Sequence, residues 1–360
     1  MHRWSPAATL VVIAPLIAEV LSGSTLVTDI PGLVFFVPLY GAGALLVREC
    51  VRRRGRGWGS VLILGIAFGI VEEGLAVQAL FNPDVISSAA WGARAGGHVA
   101  GFYGVFTEAV LVYHAVWSIT IPIVLTELLF PARADRPFLS RKGLAITAVA
   151  YAVGVVLVGM IAHGVMLAES RENYWAPSGT RAFTAFLVVA LGFAALVPRG
   201  SGTARTRPGA TAPPVWMPLL TGAVGGLAFL ALMDLPVRYA KPLTKGTNAL
   251  VPMVGGAAIV LLLGWLVRRW ESADGWGDGH RLALVGGALL VVPVIPILQR
   301  VGSAGDRIGL AVLEAALFAL LVRFAVTIRA RDGAPPADPG SREREGPALS
   351  GDHTSGSRTS

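Results

Sequence analysis

Two adjacent carboxylates, Glu72 and Glu73, stand inside one apolar run of the sequence, and His114 stands inside the next. An ionisable side chain at the centre of a membrane helix costs about 2.5–3.5 kcal/mol on insertion scales, so such residues are candidates for function. A carboxylate beside an imidazole can serve as a general base on water, with the ring orienting that water or stabilising an oxyanion. Two carboxylates with one or two histidines could also hold a divalent metal; a buried pair of acids would equally suit a proton relay. The candidate catalytic set is Glu72, Glu73 and His114, supported by Ser118, Gln78, Glu108 and His163. The competing reading makes each of them structural, with the acids bonded to Ser, Gln or backbone and His114 bonded to Ser118.

Helical spacing constrains how these groups can meet. Neighbouring positions on a helix project about 100° apart, which predicts that Glu72 and Glu73 cannot both point the same way. Gly65, Gly69, Glu72, Glu73 and Ala76 recur at helical spacing, and the Gly65-x-x-x-Gly69 face permits close contact with another helix. The carboxylates are therefore expected on, or beside, a packing face. In the following run Gly104, Thr107, His114, Ser118 and Pro122 form a small and polar stripe, with Glu108 at its border. Pro122 removes a backbone donor near Ser118.

The elements that must position these residues are membrane helices. The chain has 360 residues, 54% hydrophobic and 14% charged, against about 25% charged in soluble domains. A spanning helix needs roughly 20 mostly apolar residues. Ten runs qualify: 5–22, 30–50, 59–81, 104–130, 143–163, 181–198, 215–235, 251–270, 281–298 and 308–328. None alternates with period two, which argues against a β-barrel. The first run lacks a small-x-small cleavage site and carries Glu19, so it reads as a retained helix rather than a signal peptide. The fold class expected is an all-α polytopic transmembrane bundle of about ten helices. It occupies residues 1–329, and residues 330–360 form a disordered cytoplasmic tail too polar to build a core.

Arginines orient the bundle. The 48–57 connection holds Arg48, Arg52, Arg53, Arg54 and Arg56, which assigns it to the cytoplasm. Alternation then puts the basic connections 131–142, 199–214 and 268–281 on the same side, with both termini inside. The 22–30 turn has no Lys or Arg and the 82–103 loop has only Arg94; the 236–250 loop, with Arg238, Lys241 and Lys245, fits least well. Trp4, Trp58, Trp216 and Trp270 fall at inner interfaces, and Trp91, Tyr103, Tyr174, Trp175 and Tyr239 near the outer one. The net charge of +8 is thus distributed as in a cell-membrane protein, and nucleic acid is excluded as a partner; the lipid bilayer is the partner implied. The lone Cys50 rules out an internal disulfide and a cysteine metal site. Glu49 and Glu127, beside arginines at inner helix ends, read as surface ion pairs, and the Gly222/Gly226, Gly255-Gly256 and Gly286-Gly287 positions as packing devices.

Depth brings the chemical residues together. Glu73 lies roughly 12 Å below the outer end of its helix and His114 roughly 15 Å below the outer end of the next, at 1.5 Å per residue. A carboxylate and an imidazole can therefore meet in the outer half of the membrane. Glu19, Asp234 and Glu314 fall in the same half, which points to a polar outer cavity.

The run Glu72-Glu73 with His114 on the next helix resembles the CPBP family of intramembrane proteases, the CAAX-processing and bacteriocin-immunity type of membrane protein. That family's motifs are Glu-Glu-x-x-x-Arg, Phe-x-x-x-His, and His-x-x-x-Asn or a similar small polar residue. His114-x-x-x-Ser118 matches the last; Val77 stands at the Arg position, Val110 at the Phe position and Leu167 four residues after His163. The resemblance implies hydrolysis of a membrane-associated peptide by a Glu-activated water, with Glu72 as base and Glu73 as its partner, whether or not metal takes part. The longer stretches YGAGALLVRE, GIVEEGLAVQALFNP and YHAVWSITIPIVLTELLFP resemble uncharacterised multi-pass proteins of high-GC bacteria. A proton-coupled permease and a non-catalytic scaffold or immunity-type protein are the alternatives. Direct catalysis by this set requires His114 within about 8 Å of the carboxylates.

Overall fold

The computed structural model describes residues 5–82, 98–99, 102–170, 174–197, 209–244 and 246–332. The readings on Trp4, Trp91, Arg94, most of the 199–214 loop and the tail beyond residue 332 lie outside them. Among the described residues the protein is an all-helical membrane bundle. Its helices are α1 (Pro6–Val20), α2 (Val37–Arg53), α3 (Trp58–Ala76), α4 (Gly104–Leu129), α5 (Arg141–Ser170), α6 (Ser178–Leu196), α7 (Trp216–Tyr239), α8 (Leu250–Glu271), α9 (Asp278–Gln299) and α10 (Ala304–Asp332). A two-residue strand pair, His98–Val99 with Phe102–Tyr103, precedes α4.

All ten apolar runs become helices, but two depart from a simple span. Eight are long and apolar enough to cross a membrane. The run at 30–50 is bent: a 3-10 segment, Val27–Phe35, meets α2 at 63°. Pro31 and Pro38 punctuate it, and proline both removes a donor and clashes with the preceding turn. Helix α1 is shorter, 15 residues, or about 22 Å at 1.5 Å per residue. Its outer end is completed by the 21–25 turn, where Thr25 N–H bonds back to the Glu19 carbonyl at 2.9 Å.

Connections at alternate ends of the helices bond to one another. At one end Arg48 Nη2 donates to the Ala134 carbonyl (2.7 Å), and Ser60 Oγ, at the start of α3, to that of Ala195 at the end of α6 (2.7 Å). There too Ala212 N–H meets the Asp274 carbonyl (2.8 Å), and Arg331 pairs with Asp278 (2.5 Å). At the other end Thr28 Oγ bonds Asp306 (2.9 Å), Ala176 N–H bonds Gln78 Oε1 (2.7 Å), and Gln299 Nε2 bonds Asp234. The arginine-rich connections thus share one end of the bundle.

Two apolar clusters fill the interior. One joins α1, α2, α3 and one face of α4 around Leu10, Leu39, Phe68 and Ile123; the other joins the opposite face of α4 to α7 and α9 around Trp117, Phe229 and Leu289. Gly222 of α7 abuts the α9 backbone at Leu284, and Gly287 of α9 abuts the α7 backbone at Leu219. This reciprocal small-residue contact lets the two backbones approach within reach of dispersion forces. Helices α5, α6, α8 and α10 leave long apolar faces exposed, as lipid-facing helices must.

At the arginine-rich end Glu49 and Glu127 are buried, not surface residues. Arg48 is fully buried and its Nε lies 3.0 Å from Glu127, whose other oxygen takes Arg52 at 2.6 Å. Glu49 accepts Phe138 N–H at 2.6 Å and pairs with Arg53 at 3.1 Å. Sequence places these groups at a helix end; it does not disclose that the 131–139 turn folds over them and excludes water. Removing one partner strands a buried charge, so Arg48→Ala should lower stability by about 3–5 kcal/mol, read as a fall in melting temperature in detergent. Orientation is tested in a Cys50→Ser background: Ser24→Cys should react with an impermeant maleimide from outside intact cells, and Asp135→Cys only after lysis.

Candidate functional site

Four helices carry wide turns in which the hydrogen bond spans five residues instead of four. They are Leu16–Val20 in α1, Val37–Gly41 in α2, Val71–Ala76 in α3 and His114–Thr120 in α4. Leu21 N–H bonds the Leu16 carbonyl at 3.2 Å, and Val77 N–H bonds the Glu72 carbonyl at 2.8 Å. Such π-turns are rare and cluster at functional sites. Here each contributes a polar side chain to one place: Glu19, Tyr40, Glu72 with Glu73, and His114 with Ser118.

The wide turn in α3 alters the angular expectation. Adding a residue to the turn narrows the angle between neighbours, so Glu72 and Glu73 reach the same ring from two sides. His114 Nδ1 lies 3.5 Å from Glu72 Oε2, and Nε2 lies 3.4 Å from Glu73 Oε1. Ser118 Oγ is 3.1 Å from Nδ1, one helical step along α4. The imidazole is packed between the Tyr40 ring at 6.1 Å and the Phe68 ring at 5.8 Å between centroids. These distances fall well inside the roughly 8 Å that direct catalysis requires.

Close helix approach makes this possible. A Cβ on Gly65 would stand 2.7 Å from Ala115 Cα, and one on Gly69 3.1 Å from His114 Cβ. The Gly65-x-x-x-Gly69 face therefore docks α3 directly against the wide turn of α4.

Glu72 is held from its other side as well. Its Oε1 lies 2.5 Å from the Tyr40 hydroxyl, which also lies 2.6 Å from Glu19 Oε1. Thr25 donates to Glu19 Oε2 at 2.9 Å. Two contacts in the row Glu19–Tyr40–Glu72 need two protons, and the tyrosine has one. The row is satisfied only when one of the two carboxyls carries a proton and donates it. Glu73 is held less tightly: its side chain is 15% exposed against 5% for Glu72.

A cavity of about 550 Å³ opens beside this cluster. Its polar floor is Glu19, Tyr40, Glu72, Glu73 and His114. Phe106, Phe229, Leu230 and Met233 form apolar walls, and Ser24, Asp234, Gln299 and Gly302 lie toward the end opposite the arginine-rich connections. One ligand atom each from Glu72, Glu73 and His114 lie within 4.8 Å of one another. That separation and donor set suit three positions of a divalent cation bound by carboxylate and imidazole.

The supporting candidates divide. Ser118 joins the site. Gln78 ends α3 with φ of 63°, a left-handed conformation unusual outside glycine, and its side-chain oxygen ties α3 to Ala176. Glu108 faces away, toward Gly256 of α8. His163 stacks on Trp175 at 4.1 Å. Gln78, Glu108 and His163 do not line the cavity. Tyr40 and Thr25 escaped the sequence reading. Prolines offered a partial signal for three of the four wide turns: Pro15 precedes one, Pro38 lies in another and Pro122 closely follows a third.

Residues 8–169 match the sequence model of an uncharacterized membrane protein family. The chain is a multi-pass membrane protein. The matched stretch runs from α1 almost to the end of α5, so it contains Glu19, Tyr40, Glu72, Glu73, His114 and Ser118, while Asp234 and Gln299 lie beyond it. No curated protein and no solved structure matches the chain.

Docking of α3 on α4 is directly testable. Gly65→Val places a branched side chain against the Ala115 backbone and should cost about 1–3 kcal/mol, measured by thermal unfolding in detergent. It should also separate the carboxylates from His114 while leaving every polar residue of the site in place.

Proposed function

We propose that this protein is a hydrolase of the cell membrane that cleaves membrane-associated peptides with a carboxylate-activated water. The reading is carried by the arrangement Glu72–His114–Glu73, an imidazole flanked by two carboxylates at the floor of a cavity. Glu73 is the general base, because it is the more accessible of the two acids and its partner is the ring. Glu72, fixed by Tyr40, holds His114 in orientation. Glu73 takes a proton from water as the oxygen bonds to the scissile carbonyl carbon. The charge developing on the carbonyl oxygen is stabilised by His114. The carbon–nitrogen bond then breaks, and the proton on Glu73 passes to the departing amine. A divalent cation on Glu72, Glu73 and His114 would supply Lewis-acid polarisation of the same carbonyl.

This assignment exchanges the roles that the CPBP resemblance implies for Glu72 and Glu73. It also uses one histidine, since His163 stands apart. The cavity lies toward the end opposite the arginine-rich connections; with those connections assigned to the cytoplasm, the substrate would come from the outer leaflet or the outer aqueous face.

A proton-coupled permease is the second reading, favoured by the proton shared along Glu19–Tyr40–Glu72. Against it, residues of the inner half do not line the cavity, and Leu45, Ile119 and Ile123 are buried below the site.

The test is cleavage of a panel of apolar peptides by the purified protein in lipid nanodiscs, followed by mass spectrometry. Glu73→Gln should reduce turnover by about 10²–10⁴-fold with an unchanged melting temperature, and His114→Ala should reduce it as well. Wild-type turnover in Glu73→Gln would sink the proposal. Proton uptake by proteoliposomes without peptide cleavage would favour the permease.

A further inference from the structure

The cavity and the rest of the protein differ in charge. The chain carries 30 Lys and Arg against 22 Asp and Glu. Yet among the described residues that line the cavity there is no Lys or Arg, while Glu19, Glu72, Glu73 and Asp234 are all there. One proton shared along Glu19–Tyr40–Glu72 and a charged His114 would still leave it net negative. Low-dielectric walls focus such a field and concentrate ions of opposite sign.

A second observation points to a ligand. Glu72 Oε2 is buried, in a side chain only 5% exposed; its neighbour is His114 Nδ1 at 3.5 Å, and it accepts no hydrogen bond from the protein. A buried carboxylate oxygen without a donor is costly, and this one belongs to a cavity-lining residue. A cationic N–H group would satisfy it.

Size and wall chemistry define that cation. A volume of about 550 Å³ falls in the range of small-molecule sites, roughly 300–1,000 Å³, and far exceeds a bare ion. Phe36, Tyr40, Phe106, Tyr113 and Phe229 present aromatic rings to the cavity, and aromatic faces attract ammonium groups by about 0.5–2 kcal/mol. We infer that the cavity selects an organic ammonium with an apolar body. The inference rests on the hydrolase reading for its biological form, the protonated amine of an apolar peptide substrate.

Calorimetry on the full-length protein in nanodiscs tests this with three probes: leucyl-phenylalaninamide, its N-acetyl form and its N-succinyl form. At about pH 6.5 the free α-amino group, which titrates near 8, is charged. The cationic amide should bind saturably and about tenfold more tightly than the neutral form, with the anionic form weakest. Glu19→Gln and Asp234→Asn should each shrink that preference at least threefold; comparing probes within one variant separates selectivity from any loss of folded protein. Equal or tighter binding of the acetylated or succinylated amide, or no saturable binding, overturns the inference. So does saturable binding of zinc chloride alone with no charge preference among the amides. Cationic selectivity without cleavage sustains it and removes the hydrolase; cleavage without selectivity does the reverse.

Discussion

A carboxylate at membrane depth must find its donors on other helices, because lipid supplies none. In this protein Glu72 takes the hydroxyl of Tyr40 of α2 and lies 3.5 Å from His114 of α4, and Tyr40 extends the contact to Glu19 of α1. Four helices are thereby bound through one acid. The apolar packing around them sets distance but little direction, since dispersion tolerates rotation of a helix about its axis. Hydrogen bonds of 2.5–3.5 Å do not. The rotational settings of α1 to α4 follow from the need to satisfy this cluster, and the wide turns are the local cost of doing so.

The two ends of the bundle solve related problems differently. At the arginine-rich end Glu49 and Glu127 are neutralised by Arg48, Arg52 and Arg53, and backbone carbonyls of the 131–139 turn accept further hydrogen bonds from Arg48 and Arg53. Each acid there has an arginine counter-ion, and the end is closed. Toward the opposite end the acids are met by a phenol, a hydroxyl and an imidazole, so protons take the place of counter-ions. That difference leaves one cluster lining a cavity and the other closed off beneath a turn.

Much of this was legible in the sequence. Apolar run length disclosed the helices, arginine placement disclosed which connections share an end, and the expense of Glu72, Glu73 and His114 in lipid marked the site. Depth counting brought the carboxylates and the ring to one level, because the rise per residue is nearly fixed. Direction was not legible. A regular helix forbids Glu72 and Glu73 from serving one ring, and only a π-turn, which no residue pattern encodes strongly, allows it. Tyr40 was missed because a tyrosine in an apolar run looks like core. The burial of Glu49 and Glu127 was missed because it depends on how the 131–139 turn folds back over the end of α2.

The wide turns also mean that the site is written in chain length as well as in residue identity. Each stores one residue more than a regular helix needs. Deleting a single apolar position between 74 and 76 would let that stretch of α3 close into an ordinary α-helix while every polar residue remained. Glu72 and Glu73 would then project about 100° apart, as neighbours on a regular helix do, and one of them would leave His114. A protein built this way tolerates substitution along its lipid-facing surfaces, yet should be intolerant of insertions and deletions in four short windows that contain no loop.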